Sequence, residues 1–216
     1  MKKKYIVLLS SIFLILLFVL GVYIYKNYQI KKYGFLAQKN ASTFVREYSQ
    51  TLGSEDAKIY LVKFTDPGCE TCSKFHPFVK KLMSIYQNKI KLVIRYAPFH
   101  KGADDMVKIL EASRKQGKYW ETVEVMYETQ SYWASHHDPQ PQRIWDFLPK
   151  AGLDLEKIRT DMEDPEIKKI IDQDMADAKT LSVRKTPGFF VNGRPLPRFG
   201  YKQLQELVES EIISNY

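Results

Sequence analysis

The chain has 216 residues, 44% of them hydrophobic and 27% charged, which excludes a disordered or low-complexity protein and allows one sizeable core or one core carrying a large insertion. Its formal charge of +8 is concentrated at one end: residues 1–33 hold Lys2, Lys3, Lys4, Lys26, Lys31 and Lys32 and no acid, leaving the remainder nearly balanced. A basic excess so confined excludes nucleic acid as a partner.

In chain order, Tyr5 to Tyr25 is free of charge and dense in Leu, Ile, Val and Phe. At helical rise it spans roughly 30 Å, the thickness of a hydrocarbon core. Residues 1–26 are therefore expected to form one transmembrane helix. A cleaved signal peptide shares the basic start but has a shorter apolar run ending in small residues; here Val22-Tyr23-Ile24-Tyr25-Lys26 is bulky, and the tyrosines suit an interface. Lysines flank the run on both sides, with a slight preference for a cytoplasmic N-terminus. Residues 27–57 read as a polar juxtamembrane linker carrying a short helix over Ser42 to Tyr48, closed by a turn at Gly53 to Asp56.

Ile59 to Phe64 is apolar and β-branched, which predicts a strand running into Thr65-Asp66-Pro67-Gly68. Cys69 and Cys72, the two cysteines of the chain, come next. Ser73 to Gln87 follows with Phe75, Phe78, Val79, Leu82, Met83 and Tyr86 at three- and four-residue spacing, which predicts a helix. Cys69 thus stands at a helix N-terminus, where unpaired N–H groups and the helix dipole favour a thiolate, the reactive form. Cys72, one turn deeper, has the reach to form a disulfide with it or to resolve a mixed one. A structural disulfide over so small a loop adds little. A copper- or zinc-handling site using Cys69, Cys72 and His76 is the competing reading, but it lacks the second ligand cluster of a structural zinc site.

Lys89 to Ala97 predicts the next strand, with Ile90, Leu92, Ile94 and Tyr96 alternating against Lys91, Val93 and Arg95, and so a βαβ unit. Residues 101–181 read as a helical insertion: Asp104 to Lys115, Tyr119 to Gln130, Arg143 to Leu148, Leu155 to Met162, and Pro165 to Leu181 capped by Asp164. Ser131 to Gln142 reads as a loop, and its His136 and His137 are assigned no role. Phe189 to Val191 predicts a strand, Asn192-Gly193 a hairpin turn, Arg194 to Phe199 a return strand and Lys202 to Ser210 a final helix. A proline directly before a core strand predicts a cis Thr186–Pro187 bond.

Strand, Cys-x-x-Cys helix with Pro77 five residues on, strand, then Thr186-Pro187 leading into a hairpin and helix resembles the thioredoxin fold. With its helical insertion, residues 58–216 are similar to the Dsb family of bacterial extracytoplasmic thiol–disulfide oxidoreductases. The fold class is then α/β, a thioredoxin fold with a helical insertion preceded by one transmembrane helix. The resemblance implies that Cys69 exchanges disulfides with cysteine-containing client proteins, that Cys72 resolves, and that Thr186 and Pro187 bind the client beside the thiols. It also implies a redox-active disulfide with no bound cofactor, a membrane or extracytoplasmic redox partner, and a location in the periplasm or at the outer surface, where disulfides persist. Glu70 and Thr71 differ from the residues between the cysteines in thioredoxin and the strongly oxidising members, and Lys63 stands where some relatives carry a buried acid. Glu70 is expected to disfavour the Cys69 thiolate and Lys63, if it points inward, to favour it. These effects oppose each other, so oxidation, reduction and isomerisation are all compatible with the sequence.

Overall fold

The structure, a computed structural model, describes residues 2–39, 41–134 and 139–216. It begins with helix α1 (Lys2–Lys39), whose stretch Leu8–Tyr25 is long and apolar enough to cross a membrane and has no residue buried against the rest of the protein. The expected linker over residues 27–57 is corrected in three ways. No proline interrupts residues 26–39, and α1 continues to Lys39 because propagation costs little once a helix is nucleated. The short helix is one turn, α2 (Ala41–Phe44). The turn expected over Gly53 to Asp56 forms, the Ala57 N–H donating to the Ser54 carbonyl at 3.2 Å, but a strand leads into it, β1 (Gln50–Gly53), which pairs antiparallel with a strand some forty residues later, Gln50 opposite Ile94 and Gly53 opposite Lys91. Gly53 is required there: at φ 115° a Cβ would stand 2.3 Å from the carbonyl oxygen of Ile90.

Three elements build the predicted βαβ unit: β2 (Ile59–Thr65), α3 (Glu70–Ile85) and β3 (Ile90–Tyr96). β2 and β3 run parallel, with Lys63 opposite Ile94 and Phe64 opposite Arg95. β4 (Gly188–Val191) lies antiparallel on the other side of β2 and pairs with β5 (Arg194–Pro195), giving the order β1-β3-β2-β4-β5. Asn192 and Gly193 both take positive φ, 47° and 76°, as a tight hairpin turn demands. The return strand stops at Pro195 rather than Phe199, because Pro195 and Pro197 bring no N–H to a ladder. Helix α9 (Tyr201–Asn215) closes the fold, longer than expected.

The insertion holds α4 (Ala103–Arg114), α5 (Tyr119–Glu128), α6 (Gln130–Trp133), α7 (Leu155–Asp161) and α8 (Pro165–Thr180). Asp164 caps α8 through its carboxylate, which accepts from the Glu166 N–H at 2.9 Å, with Pro165 at the first helical position. The expected helix over Arg143 to Leu148 is instead two 3₁₀ turns, Pro141–Asp146 and Leu148–Ala151, each carrying a proline near its start. Part of the expected loop is helical: α6 forms because buried Trp133 anchors it, donating from Nε1 to the Met126 carbonyl at 3.2 Å. His136 and His137 lie outside the described residues.

Both faces of the sheet are covered, which corrects the expected alternation in β3: all seven of its residues are buried. Ile59, Leu61, Ile90, Leu92 and Ile94 pack with α3, α4, α5 and α9 on one face. Val62, Phe64 and Val93 pack with Phe44, Ala178 and Phe190 on the other. Each such side chain contributes about 1.5–3 kcal/mol through burial. The alternation decides which face each polar residue joins: Lys63 faces α3 and α5, and Arg95 faces α8.

Candidate active site

The turn between β2 and α3 is held from three sides. Asp66, fully buried, closes it with an Asx turn in which Oδ1 accepts from the Gly68 N–H at 2.8 Å. Its Oδ2 accepts from the Phe99 and His100 N–H groups at 2.8 and 2.9 Å and lies 2.7 Å from His100 Nδ1, tying the turn to the segment after β3. From α6, buried Gln130 donates through Nε2 to the carbonyls of Pro67 and Cys69 at 2.6 and 3.2 Å. Pro139 lies over Gly68 so closely that a Cβ there would meet its Cγ at 2.7 Å. Cys69 is the N-cap of α3, with φ −82° and ψ 116°, and its carbonyl accepts from the N–H groups of Cys72 and Ser73 at 3.0 and 3.2 Å.

Both cysteines are free thiols, and their surroundings differ sharply. Cys69 Sγ donates to the carbonyl of Thr186 at 3.3 Å. Its thiolate is favoured by a hydrogen bond from the Cys72 thiol, which outweighs burial, with further help from the Thr186 side chain and from the N–H groups of Cys72 and Thr71; together they bring Cys69 down to about 5. Cys72 is fully buried, and burial pushes its thiol well above the ordinary value, as does donation to Cys69, while the charge of Lys63 pulls the other way. Lys63 is 2% exposed. Burial pushes its ammonium below the usual range, opposed by the charges of Cys72 and Cys69, and its Nζ sits over the Tyr127 ring, 5.1 Å from the centroid.

The structure therefore brings together Lys63, Cys69, Cys72, Thr186 and Pro187. The Thr186–Pro187 bond is cis, as expected, and a cleft of about 480 Å³ runs past Thr71, Thr186, Pro187 and Phe199. Glu70 sits in the first turn of α3, half-buried, but the groups that move Cys69 most do not include it. His76 is engaged by another partner, its Nε2 lying 2.9 Å from Glu124 Oε1, and among the described residues no group of three His, Cys, Asp or Glu side chains is placed to hold a metal ion. Sequence reasoning assigned nothing to Asp66, Gln130 or Tyr127. Asp66 had a local signal, an acid two residues before a glycine in a turn; Gln130 and Tyr127 had none, because their partners lie some sixty residues away.

Comparison with known proteins agrees with this geometry. The family model described as Thioredoxin matches residues 45–210, a span that includes β1. The probable disulfide bond formation protein D of Bacillus cereus is 26% identical over 223 residues, covering 98% of this chain and 99% of that protein. A Na(+)/H(+) antiporter NhaA of Herminiimonas arsenicoxydans is 26% identical over 150 residues, 69% of this chain, and the match spans 23% of the antiporter's length. Among solved structures, a thioredoxin-like oxidoreductase from Silicibacter pomeroyi DSS-3 superposes with a TM-score of 0.70 at 27% identity, covering 81% of this chain and 98% of that one. Oxidised BdbD from Bacillus subtilis shares the fold at a TM-score of 0.67 and 21% identity, covering 76% of this chain and 93% of its own.

Proposed function

The chain belongs to the thioredoxin family, and we propose that it is a membrane-anchored, extracytoplasmic thiol–disulfide oxidoreductase that exchanges disulfides with protein cysteines through Cys69 and Cys72. The observation that carries this reading is the asymmetry of the pair: Cys69 stands at the N-cap of α3 with its Sγ against the Thr186 carbonyl beside the cis proline, in surroundings that favour its thiolate, while Cys72 lies one turn deeper with no exposed surface and its thiol favoured. In the oxidised protein a client thiolate attacks Cys69 Sγ. The Cys69–Cys72 bond breaks, its electron pair goes to Cys72 Sγ, and Cys72 takes up a proton. A second client thiolate attacks the client sulfur of the mixed disulfide, forming the client disulfide and releasing Cys69 as a thiolate. The stability of that thiolate lowers the energy of the dithiol state, which biases the couple toward donating its disulfide.

The redox group is the Cys69–Cys72 couple itself, so the reaction calls for no bound cofactor; a membrane or extracytoplasmic redox partner restores the disulfide. Thr186 and Pro187 bind the client backbone in the cleft. Lys63 tunes the couple from beneath, with Glu70 and Thr71 modulating it from the helix start. Residues 1–26 anchor the chain with the N-terminus in the cytoplasm. The test is a Cys72→Ala variant expressed in cells: it accumulates mixed disulfides through Cys69, visible as reductant-sensitive adducts on non-reducing gels. Absence of adducts would overturn the reading.

A further inference from the structure

Each catalytic cycle must move a proton on or off Cys72, which has no exposed surface of its own. The charge of Lys63 acts on Cys72, yet Lys63 is closed off from solvent as well. A cavity of about 180 Å³ lies between β2, β3, α3 and α5. Its lining is aliphatic and aromatic except for a few polar side chains, of which Lys63 and Thr65 stand at the sheet and His76, Lys80 and Glu124 at the helices. Lys63 and His76 pack against the same ring, Lys63 Nζ 5.1 Å from the Tyr127 centroid and the His76 ring 5.0 Å from it. From His76 outward the polar groups form a graded path. His76 lies 2.9 Å from Glu124, which lies 2.9 Å from Lys80 Nζ, and the three side chains are 13%, 35% and 54% exposed.

Building on the thiol-exchange reading above, we infer that His76, oriented by Glu124, is the proton outlet of the buried thiol, exchanging protons with Lys63 across the cavity and with solvent through Glu124. When Cys69 is joined to a client, the Cys72 thiol gives its proton to the neutral Lys63 amine. Its electron pair attacks Cys69 Sγ, the Cys69–Cys72 bond forms, and the client sulfur leaves as a thiolate with the electrons of the broken bond. The Lys63 ammonium then passes its proton to His76, and His76 passes one to Glu124 and water. The same path runs inward when a client thiolate opens the disulfide. Lys63, Thr65, His76 and Glu124 on the wall of this 180 Å³ cavity supply the polar partners that waters bridging the gap require.

The electrostatics fit this direction of transfer. Burial holds Lys63 below its usual range, so it can lose its proton. Burial and the Lys63 charge push His76 down, and Lys80 adds to that, while Glu124 opposes. Burial raises Glu124, but hydrogen bonds from Lys80 and His76 more than offset this and keep it a carboxylate acceptor. Tyr127, buried and raised, stays a neutral phenol. With Nε2–H donated to the Glu124 carboxylate, the other ring nitrogen of neutral His76 is free to accept.

The experiment uses the purified, reduced full chain in detergent, mixed with glutathione disulfide and quenched with acid, and follows the Cys69–glutathione adduct by mass spectrometry. His76→Ala is expected to lengthen the lifetime of the adduct about tenfold or more at neutral pH, and added imidazole to restore it. His76→Gln keeps a polar contact to Glu124 without a titrating nitrogen and is expected to be as slow. A wild-type lifetime in His76→Gln, or slowing in His76→Ala that imidazole leaves unchanged, overturns the outlet. Failure of the wild-type chain to form any adduct at Cys69 overturns the thiol-exchange reading, and the outlet with it.

Discussion

Two of the cations buried in adjacent strands of this sheet are treated in completely different ways. Arg95 on β3 and Lys63 on β2 are one residue out of register, so they point to opposite faces. Arg95 meets two carboxylates: Nε and Nη2 donate to Asp174 at 2.9 and 2.6 Å, and Nη2 donates to Asp177 at 2.5 Å. Its Nη1 donates to the Thr43 carbonyl. Asp177 is shared with Arg46 at 2.8 and 2.7 Å, and Asp174 accepts from the Tyr48 hydroxyl at 2.7 Å. Burial pulls Arg95 down, but its carboxylates raise it past its ordinary value. Lys63 has an aromatic face and two thiols instead of carboxylates, and its ammonium is correspondingly weak. Equal burial gives a fixed charge where acids surround the cation and a labile one where they are absent. The first welds the insertion to the sheet; the second is available to chemistry.

Substitutions at the two sites should separate these roles. Arg95→Met leaves Asp174 buried without its cation and Asp177 with Arg46 alone, and is expected to cost about 3–5 kcal/mol in denaturant unfolding; a cost below about 1 kcal/mol would place Arg95 alongside Lys63 instead. Lys63→Met replaces an unpaired buried cation with an apolar chain of similar length, so stability is expected to change by no more than about 1 kcal/mol. The same change removes the positive charge from the thiols and is expected to raise the Cys69 titration, followed by thiolate absorbance at 240 nm. The smallest effect concerns the wild-type titration. Cys69 is depressed, so its thiolate contributes to the stability of the dithiol protein in full above the unfolded value of about 8.5. That contribution is lost as pH falls through about 5, where the absorbance is expected to inflect. Glu70→Gln is expected to move that inflection by less than about 0.5 unit, because its half-buried carboxylate is screened.

What the sequence made legible was local. The dithiol at a helix start, the Asp164 cap, the Asn192-Gly193 turn and the proline before β4 are each defined by a few neighbouring residues. β1 escaped because Gln50-Thr51-Leu52-Gly53 has no strand pattern of its own; the open edge of β3 makes it a strand. The Arg95 cluster escaped for a related reason, its partners lying 79 and 82 residues away. Lys63 was half legible: strand parity puts it on the face of Ile59 and Leu61, but with apolar residues on both sides parity alone does not say which face carries the thiols. The opposition expected between Glu70 and Lys63 rested on proximity in sequence, whereas hydrogen bonds from Cys72, Thr186 and the helix start dominate Cys69.

The two bonds from Gln130 bear on how separable the insertion is. They hold the carbonyls that shape the turn ahead of the nucleophile, and Tyr127, one helix earlier, accepts from Ser73 of α3 through its carbonyl at 3.2 Å. A shortened chain with residues 101–181 excised would keep every strand of the sheet and both cysteines, yet leave the Pro67 and Cys69 carbonyls without these donors and one wall of the Lys63 cavity missing. The helical insertion is thus no detachable accessory on a minimal domain; half of the reactive loop's scaffolding is encoded within it.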